Sequence, residues 1–241
     1  MSDVLTRPEG TDIEYPEGPQ VPEGDLHTLR RCELYSALRE WMAEHPRRHS
    51  SWVGSNINVY YRRGDPAAVV CPDVVVAFGI DPAAVRGQPR YRVWDAGAPP
   101  AFVLEVASPS TADADLHDKP ARYAELGVAE YWRFDPTGGD LLGAPLQGEA
   151  RRRGRWEPIA VTRRDGTLTG RSGALGLELR WQPPRLRLYD PAAHAWLHDH
   201  HDERQARQTA EEGARAAEER ARAAEAELAA LRRRLGHDPS P

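Results

Sequence analysis

Lysine is almost missing from this chain of 241 residues: among its 32 basic residues Lys119 is the single lysine, and the others are arginines. Cysteine is nearly as scarce. Cys32 and Cys71 alone exclude a disulfide scaffold and a cysteine-based zinc site, and they suit a reducing compartment. No window approaches the roughly 18 apolar residues of a membrane span. The opening residues, MSDVLTRPEGTDIEYPEG, have neither a basic leader nor an apolar core, so no secretory signal is read there. A cytoplasmic chain without a membrane partner is expected. The scarcity of lysine also gives Lys119 weight. An ammonium is a compact charge with an adjustable pKa, whereas a guanidinium is a permanently protonated fork. The one retained lysine is thus a candidate for chemistry that arginine cannot do; chance survival in an arginine-biased sequence is the alternative.

Charge is unevenly spread. Residues 1–25 carry a net −6, residues 26–198 a net +3 and residues 199–241 a net −2. A mildly basic middle permits nucleic-acid binding without demanding it. Residues 1–25, rich in Pro, Gly and acids, are expected to form a flexible arm. A helix is predicted from about Leu26 to Glu44, with Asp25 as N-cap and Pro46 beyond its end. Leu34, Leu38, Trp41 and Met42 mark its apolar face, with His27 near the centre; Glu33 falls well off that face. His27 is either a core histidine or a group at the rim of a site.

Residues 51–61 alternate as a strand, and AVVCPDVVVAFG forms another with Pro72-Asp73 set into it. Proline lacks the ladder donor, so Pro72 should break pairing where Asp73 is presented. Residues 81–100 read as a long loop. FVLEV, at 102–106, is an apolar strand with one carboxylate, Glu105, followed by the turn-rich SPST. Asp118 is then the expected N-cap of a short helix that opens with Lys119-Pro120 and ends at Gly127. The region to Tyr189 reads as a β-meander. Its arginine-rich turns at 149–155 and 162–166 are solvated hairpin tips, or in the case of Arg151–Arg155 phosphate contacts. From about His194 to Leu235 the chain is rich in Ala, Glu and Arg. Ala210, Ala214, Ala217, Ala221, Ala224, Leu228, Leu231 and Leu235 step by alternate fours and threes, a heptad seam that argues for a coiled coil. A homodimer through residues 203–235 is expected; an isolated helix is the alternative.

A carboxylate in a buried strand is costly unless it is paired or bound to a metal. Asp73 and Glu105, each in an apolar strand, would repel in one cleft unless a divalent cation lay between them. Hard oxygen ligands of this kind suit Mg²⁺, with Mn²⁺ as a substitute and the main-chain carbonyl of Val106 as a further ligand. Position 107, on the same strand face as Glu105, holds alanine, so the amine of the site must come from Lys119. The bland alternative is a surface ion pair from Lys119 to Asp115 or Asp118.

CPDVVVAFG, FVLEVASPSTADADLHDK and YAELGVAEYWRFDP resemble, in order and spacing, the Uma-type putative restriction endonuclease family, part of the PD-(D/E)xK nuclease superfamily. The resemblance extends over roughly residues 20–190. It implies an α/β fold with a mixed central sheet flanked by helices, restriction-endonuclease-like, here followed by a C-terminal helical coiled-coil extension. It implies Mg²⁺-dependent hydrolysis of phosphodiester bonds, with DNA as substrate. By motif, Asp73 and Glu105 are the acidic pair, Lys119 is the lysine moved onto the following helix, and His27 and Asp115 match accessory positions. Pro120 departs from the pattern. The expected division is an arm at 1–25, a nuclease domain at 26–192, a helix at 193–236 and a tail at 237–241. The alternative function is a catalytically silent nuclease-fold module that binds nucleic acid or protein. Glycoside hydrolysis by the carboxylate pair would leave Lys119 and the Pro-Asp strand unexplained.

Overall fold

The computed structural model describes residues 24–198 and 200–234, without the side chains of 200–207 and 234. The tail expected at 237–241, and all of the acidic arm but Gly24 and Asp25, lie outside the described residues. In chain order the first elements are α1 (Asp25–Glu44), β1 (Ser51–Gly54), β2 (Asn58–Tyr60), β3 (Val69–Val70), β4 (Val74–Phe78) and β5 (Arg90–Arg92). There follow α2 (Val93–Ala96), β6 (Phe102–Val106), α3 (Ala112–His117), α4 (Lys119–Leu126) and β7 (Glu130–Phe134). The meander comprises β8 (Leu146–Arg152), β9 (Arg155–Pro158), β10 (Val161–Arg164), β11 (Thr167–Arg171), β12 (Glu178–Gln182), β13 (Arg185–Asp190) and β14 (Ala195–Trp196). The last element is α5 (His200–Arg234).

The central sheet has the order β1-β4-β6-β7-β8-β9 and is mixed, because β6 and β7 run parallel while the other neighbours are antiparallel. Alternate residues of a strand face opposite sides. On one side Val74, Val76, Phe102, Leu104, Trp132 and Phe134 pack against α1 (Leu34, Leu38, Met42) and the five-stranded sheet β10–β14 (Leu179, Leu186, Leu188). On the other, Val75, Ala77, Val103 and Tyr131 pack against α4 (Tyr123, Leu126) and the three-stranded sheet β3-β2-β5 (Val59, Tyr91). With both faces covered, β4, β6 and β7 are mostly apolar, and the buried Glu105, Glu130 and Arg133 among them each have a charged or hydrogen-bonding partner. The mixed α/β fold expected from the sequence is the one observed.

Several elements differ from expectation. Gly24, not Asp25, is the N-cap of α1, and Asp25 is the first helical residue, its charge still placed near the positive helix end. Glu33 is buried, not off the packed face, because Arg30 at 2.8 Å and Arg185 at 3.5 Å neutralise it. Residues 51–61 are two strands in two sheets, separated by a turn in which Asn56 takes φ 51°. The presumed loop at 81–100 holds β5 and α2 and buries Val85, Tyr91 and Ala96. At the other end, Ala195 and Trp196 pair with Asp190 and Tyr189, so the long helix starts at His200 instead of near His194. The chain divides into compact units at Leu197, and α5 forms the second; its described side chains are all exposed. No described helix is long and apolar enough to cross a membrane.

Trp132 joins the central sheet to the meander. Its indole Nε1 donates to Glu130 at 3.2 Å, and Glu130 also accepts from Ser172 Oγ, Gly173 N and Ala174 N in the β11–β12 loop. Gly148 on β8 and Gly170 on β11 lie against the indole; a Cβ at Gly170 would sit 2.7 Å from it and one at Gly148 2.6 Å. Gly170→Ala is therefore expected to destabilise the fold by about 1–3 kcal/mol through overpacking. Urea unfolding checks this: the midpoint should fall at an unchanged m-value.

Candidate active site

Pro72 ends ladder pairing at the start of β4, where Val74 faces Leu104 of β6. One step beyond that last pair, Asp73 stands opposite Glu105, on the same side of the sheet end. Asp73 is held from two directions. Its Oδ2 accepts the Val106 amide at 2.7 Å and meets His27 Nε2 of α1 at 3.0 Å, so one oxygen ties β6 and α1 together. Val106 thus contributes its amide to the arrangement.

Position 107, just past β6, is a buried alanine packed with Ala112 and Leu142, so it supplies no amine. The amine comes from the helices after SPST. Pro120 lacks an N–H, so the helical path breaks after Asp118 into α3 and α4, and Pro120 lies in the first turn of α4. Gly127, at φ 93°, closes α4. Lys119 Nζ then lies 3.0 Å from Glu105 Oε2 and 2.6 Å from Asp115 Oδ1, with 20% of its side chain exposed. The structure thus brings Asp73, Glu105, Val106, Lys119, Asp115 and His27 into one cluster.

The sequence reading missed Tyr123. It is four residues beyond Lys119, on the same helix face, and its hydroxyl donates to Glu105 Oε1. That spacing was the available signal. It also missed the backing of Asp115, whose carbonyl accepts from Tyr131 at 2.9 Å and Arg133 at 3.5 Å, residues on the neighbouring strand.

Electrostatically the cluster is unbalanced. Asp73, Glu105 and Asp115 are 6%, 1% and 1% exposed, and Lys119 is the one permanent cation among them. His27 adds charge only when protonated. Burial pushes the Glu105 carboxyl well up; Lys119 opposes this, while Asp73 and Asp115 add to it. The Asp115 carboxyl is also raised, by burial first, against the pull of Lys119 and of a hydrogen bond from the Thr111 side chain. For Lys119, burial disfavours the charge, but Glu105, Asp115 and Asp73 outweigh it and hold the ammonium above its ordinary range. Beside these carboxylates Lys119 is therefore an ammonium at neutral pH.

Surplus buried negative charge is what a hard divalent cation would relieve, so the residues present fit one. Among the described residues no three His, Cys, Asp or Glu side chains converge to enclose an ion.

The same charge sets a pH dependence. A carboxyl with a raised folded pKa favours its neutral form, so its contribution to stability is lost as pH rises from the usual carboxylate range through the folded value. Lys119 stays ionised over this range. Asp115→Asn should therefore be more stable than wild type at pH 8 without divalent cations, with the advantage shrinking toward pH 5. Thermal unfolding would register about 2–4 °C for each kcal/mol gained; a variant equally destabilised at both pH values would refute the charge imbalance.

Comparison with known proteins adds context. Residues 2–182 match the family model Uma2, described as "Putative restriction endonuclease". No curated protein matches this chain. A solved structure of a putative nuclease belonging to DUF820, from Anabaena variabilis ATCC 29413, is similar at 15% identity and a TM-score of 0.40, covering 65% of this chain and 78% of that one.

Proposed function

This chain belongs to the Uma2 family of putative restriction endonucleases, and on that premise we propose that it is a divalent-metal-dependent endonuclease hydrolysing phosphodiester bonds of DNA. The observation that carries the reading is the buried cluster of Asp73, Glu105 and Asp115 around a single lysine. Asp73, Glu105 and the Val106 carbonyl would hold Mg²⁺, or Mn²⁺ in its place. The cation, when bound, would polarise the phosphate and supply a nucleophile from water.

The chain's own residues do the positioning. The Val106 amide and His27 fix one oxygen of Asp73, leaving the other for a ligand. Tyr123 anchors Oε1 of Glu105, and Lys119 reaches Oε2. Asp115 also holds the ammonium, so Lys119 is preorganised before substrate arrives. A protonated Lys119 stabilises the charge that grows on the phosphate during in-line attack.

Purified protein with Mg²⁺ or Mn²⁺ is expected to cut supercoiled plasmid. Asp73→Ala, Glu105→Gln and Lys119→Ala should each slow cutting by about 100-fold or more. Cutting unaffected by all three, or no cutting by wild type, would sink the enzyme reading and leave a binding module.

We also propose a homodimer through the seam of α5. Leu228 and Leu231 are 52% and 47% exposed, as expected of a seam awaiting its partner; Leu235 lies outside the described residues. Deleting residues 203–235 should halve the mass found by light scattering. A wild type that already has the mass of one chain would refute the dimer.

A further inference from the structure

The C-terminal half of α1, the chain from Arg48 to Val53 and the turn at Arg86-Gly87 enclose a cleft of about 600 Å³. It is remote from the acidic cluster. His27 and Arg39 are twelve residues apart on α1, about 18 Å at ~1.5 Å per residue. The cleft also adjoins the far end of the β1–β4 pair: Ser51 faces Phe78 there, whereas Gly54 faces Val75 beside Asp73.

Its lining is one-sided in charge. Arg39, Arg48, Arg86 and His49 contribute to it, all exposed, and no acidic residue lines it. None of the three arginines has an ion-pair partner among the described residues. What sets these three apart is that they share one concave lining without a carboxylate in it. Tyr35 and Trp52 add half-buried aromatic surface. Three guanidiniums that fork their donors toward open solvent, with no carboxylate to answer them, are suited to phosphate oxygens.

We propose that this cleft binds the phosphate backbone of DNA at a point set apart from the bond to be cut. The proposal rests on the nuclease reading for the identity of the ligand. A separation of about 18 Å corresponds to about five base pairs at ~3.4 Å per phosphate along a strand of the duplex. The cleft therefore fixes where the duplex lies on the protein, while the acidic cluster acts on one bond. Contacts to phosphates of this kind position a duplex without reading its sequence.

The test is equilibrium binding of a fluorescent DNA duplex by the full chain in EDTA, so that affinity is read without cleavage. Arg39→Gln/Arg48→Gln/Arg86→Gln should weaken binding at least tenfold and make the dependence of log K on log[salt] shallower by about 2–3, one unit for each lost phosphate contact. Arg63→Gln/Arg164→Gln/Arg171→Gln, the same charge change at exposed positions outside the cleft, should do neither. Unchanged thermal unfolding of both variants shows that they fold. Equal losses in both would mean that only overall charge matters and would overturn the proposal, as would no loss in the first or no binding by wild type. A polyglutamate peptide that displaces the duplex at equal charge concentration would assign the cleft to acidic polypeptide instead. Binding through the cleft without any cutting would sink the nuclease reading alone; cutting and binding indifferent to the triple substitution would sink the cleft alone.

Discussion

The contact of the Lys119 ammonium with Glu105 and Asp115 is the constraint to which much of the fold around the sheet end answers. An ionised carboxylate inside an apolar strand is tolerated only with a partner, and the strand offers none, since Ala107 takes the adjacent position on that face. The partner must arrive from outside the sheet. That explains why the chain after SPST turns back over β6 as two short helices, and why the break between them coincides with Pro120. Tyr123 and Tyr131 complete the enclosure, one bonded to the Glu105 side chain and the other to the Asp115 carbonyl. One lysine set against three buried carboxylates leaves a residue of charge that the protein alone does not neutralise.

The other strong constraint is mechanical. The acidic cluster needs β4, β6 and β7 held in register, and those strands are covered on both faces. Glu130 and Trp132 join the sheet to the meander through a carboxylate that accepts four hydrogen bonds. Asp135 does similar work one turn on, accepting from Thr137, Leu141 and Leu142 to shape the loop that ends beside Ala107. Both oxygens of each of these acids accept from uncharged donors, whereas Glu105 and Asp115 of the candidate site share the Lys119 ammonium.

Much of this was legible in the sequence, for identifiable reasons. Pro72-Asp73 inside an apolar run, a lone Glu105 in another and a single lysine beside a helix-starting proline each violate a local rule, and the three are brought together in space. Elements that obey a rule only in part were harder to read. Glu33 looked solvent-facing because an acid off the apolar stripe is usually exposed, whereas here Arg30 one turn away and Arg185 of the distant β13 enclose its carboxylate. Residues 51–61 alternate like one strand, but Asn56 adopts a left-handed conformation that alternation does not reveal. The Pro- and Gly-rich stretch at 81–100 hid β5, whose parallel pairing with β2 is a long-range choice. Tyr123 was overlooked because a tyrosine on a short helix is usually core, and only the spacing from Lys119 marks it otherwise.

The same scarcity of lysine makes this protein unusual as a chemical reagent's target. Acylating reagents need a free amine, and the chain offers one side-chain amine in its full length. That amine is largely enclosed and held protonated by its neighbours, so it should be inert in the folded state. Its appearance as a reactive group would report directly that the sheet end has opened, without any introduced probe.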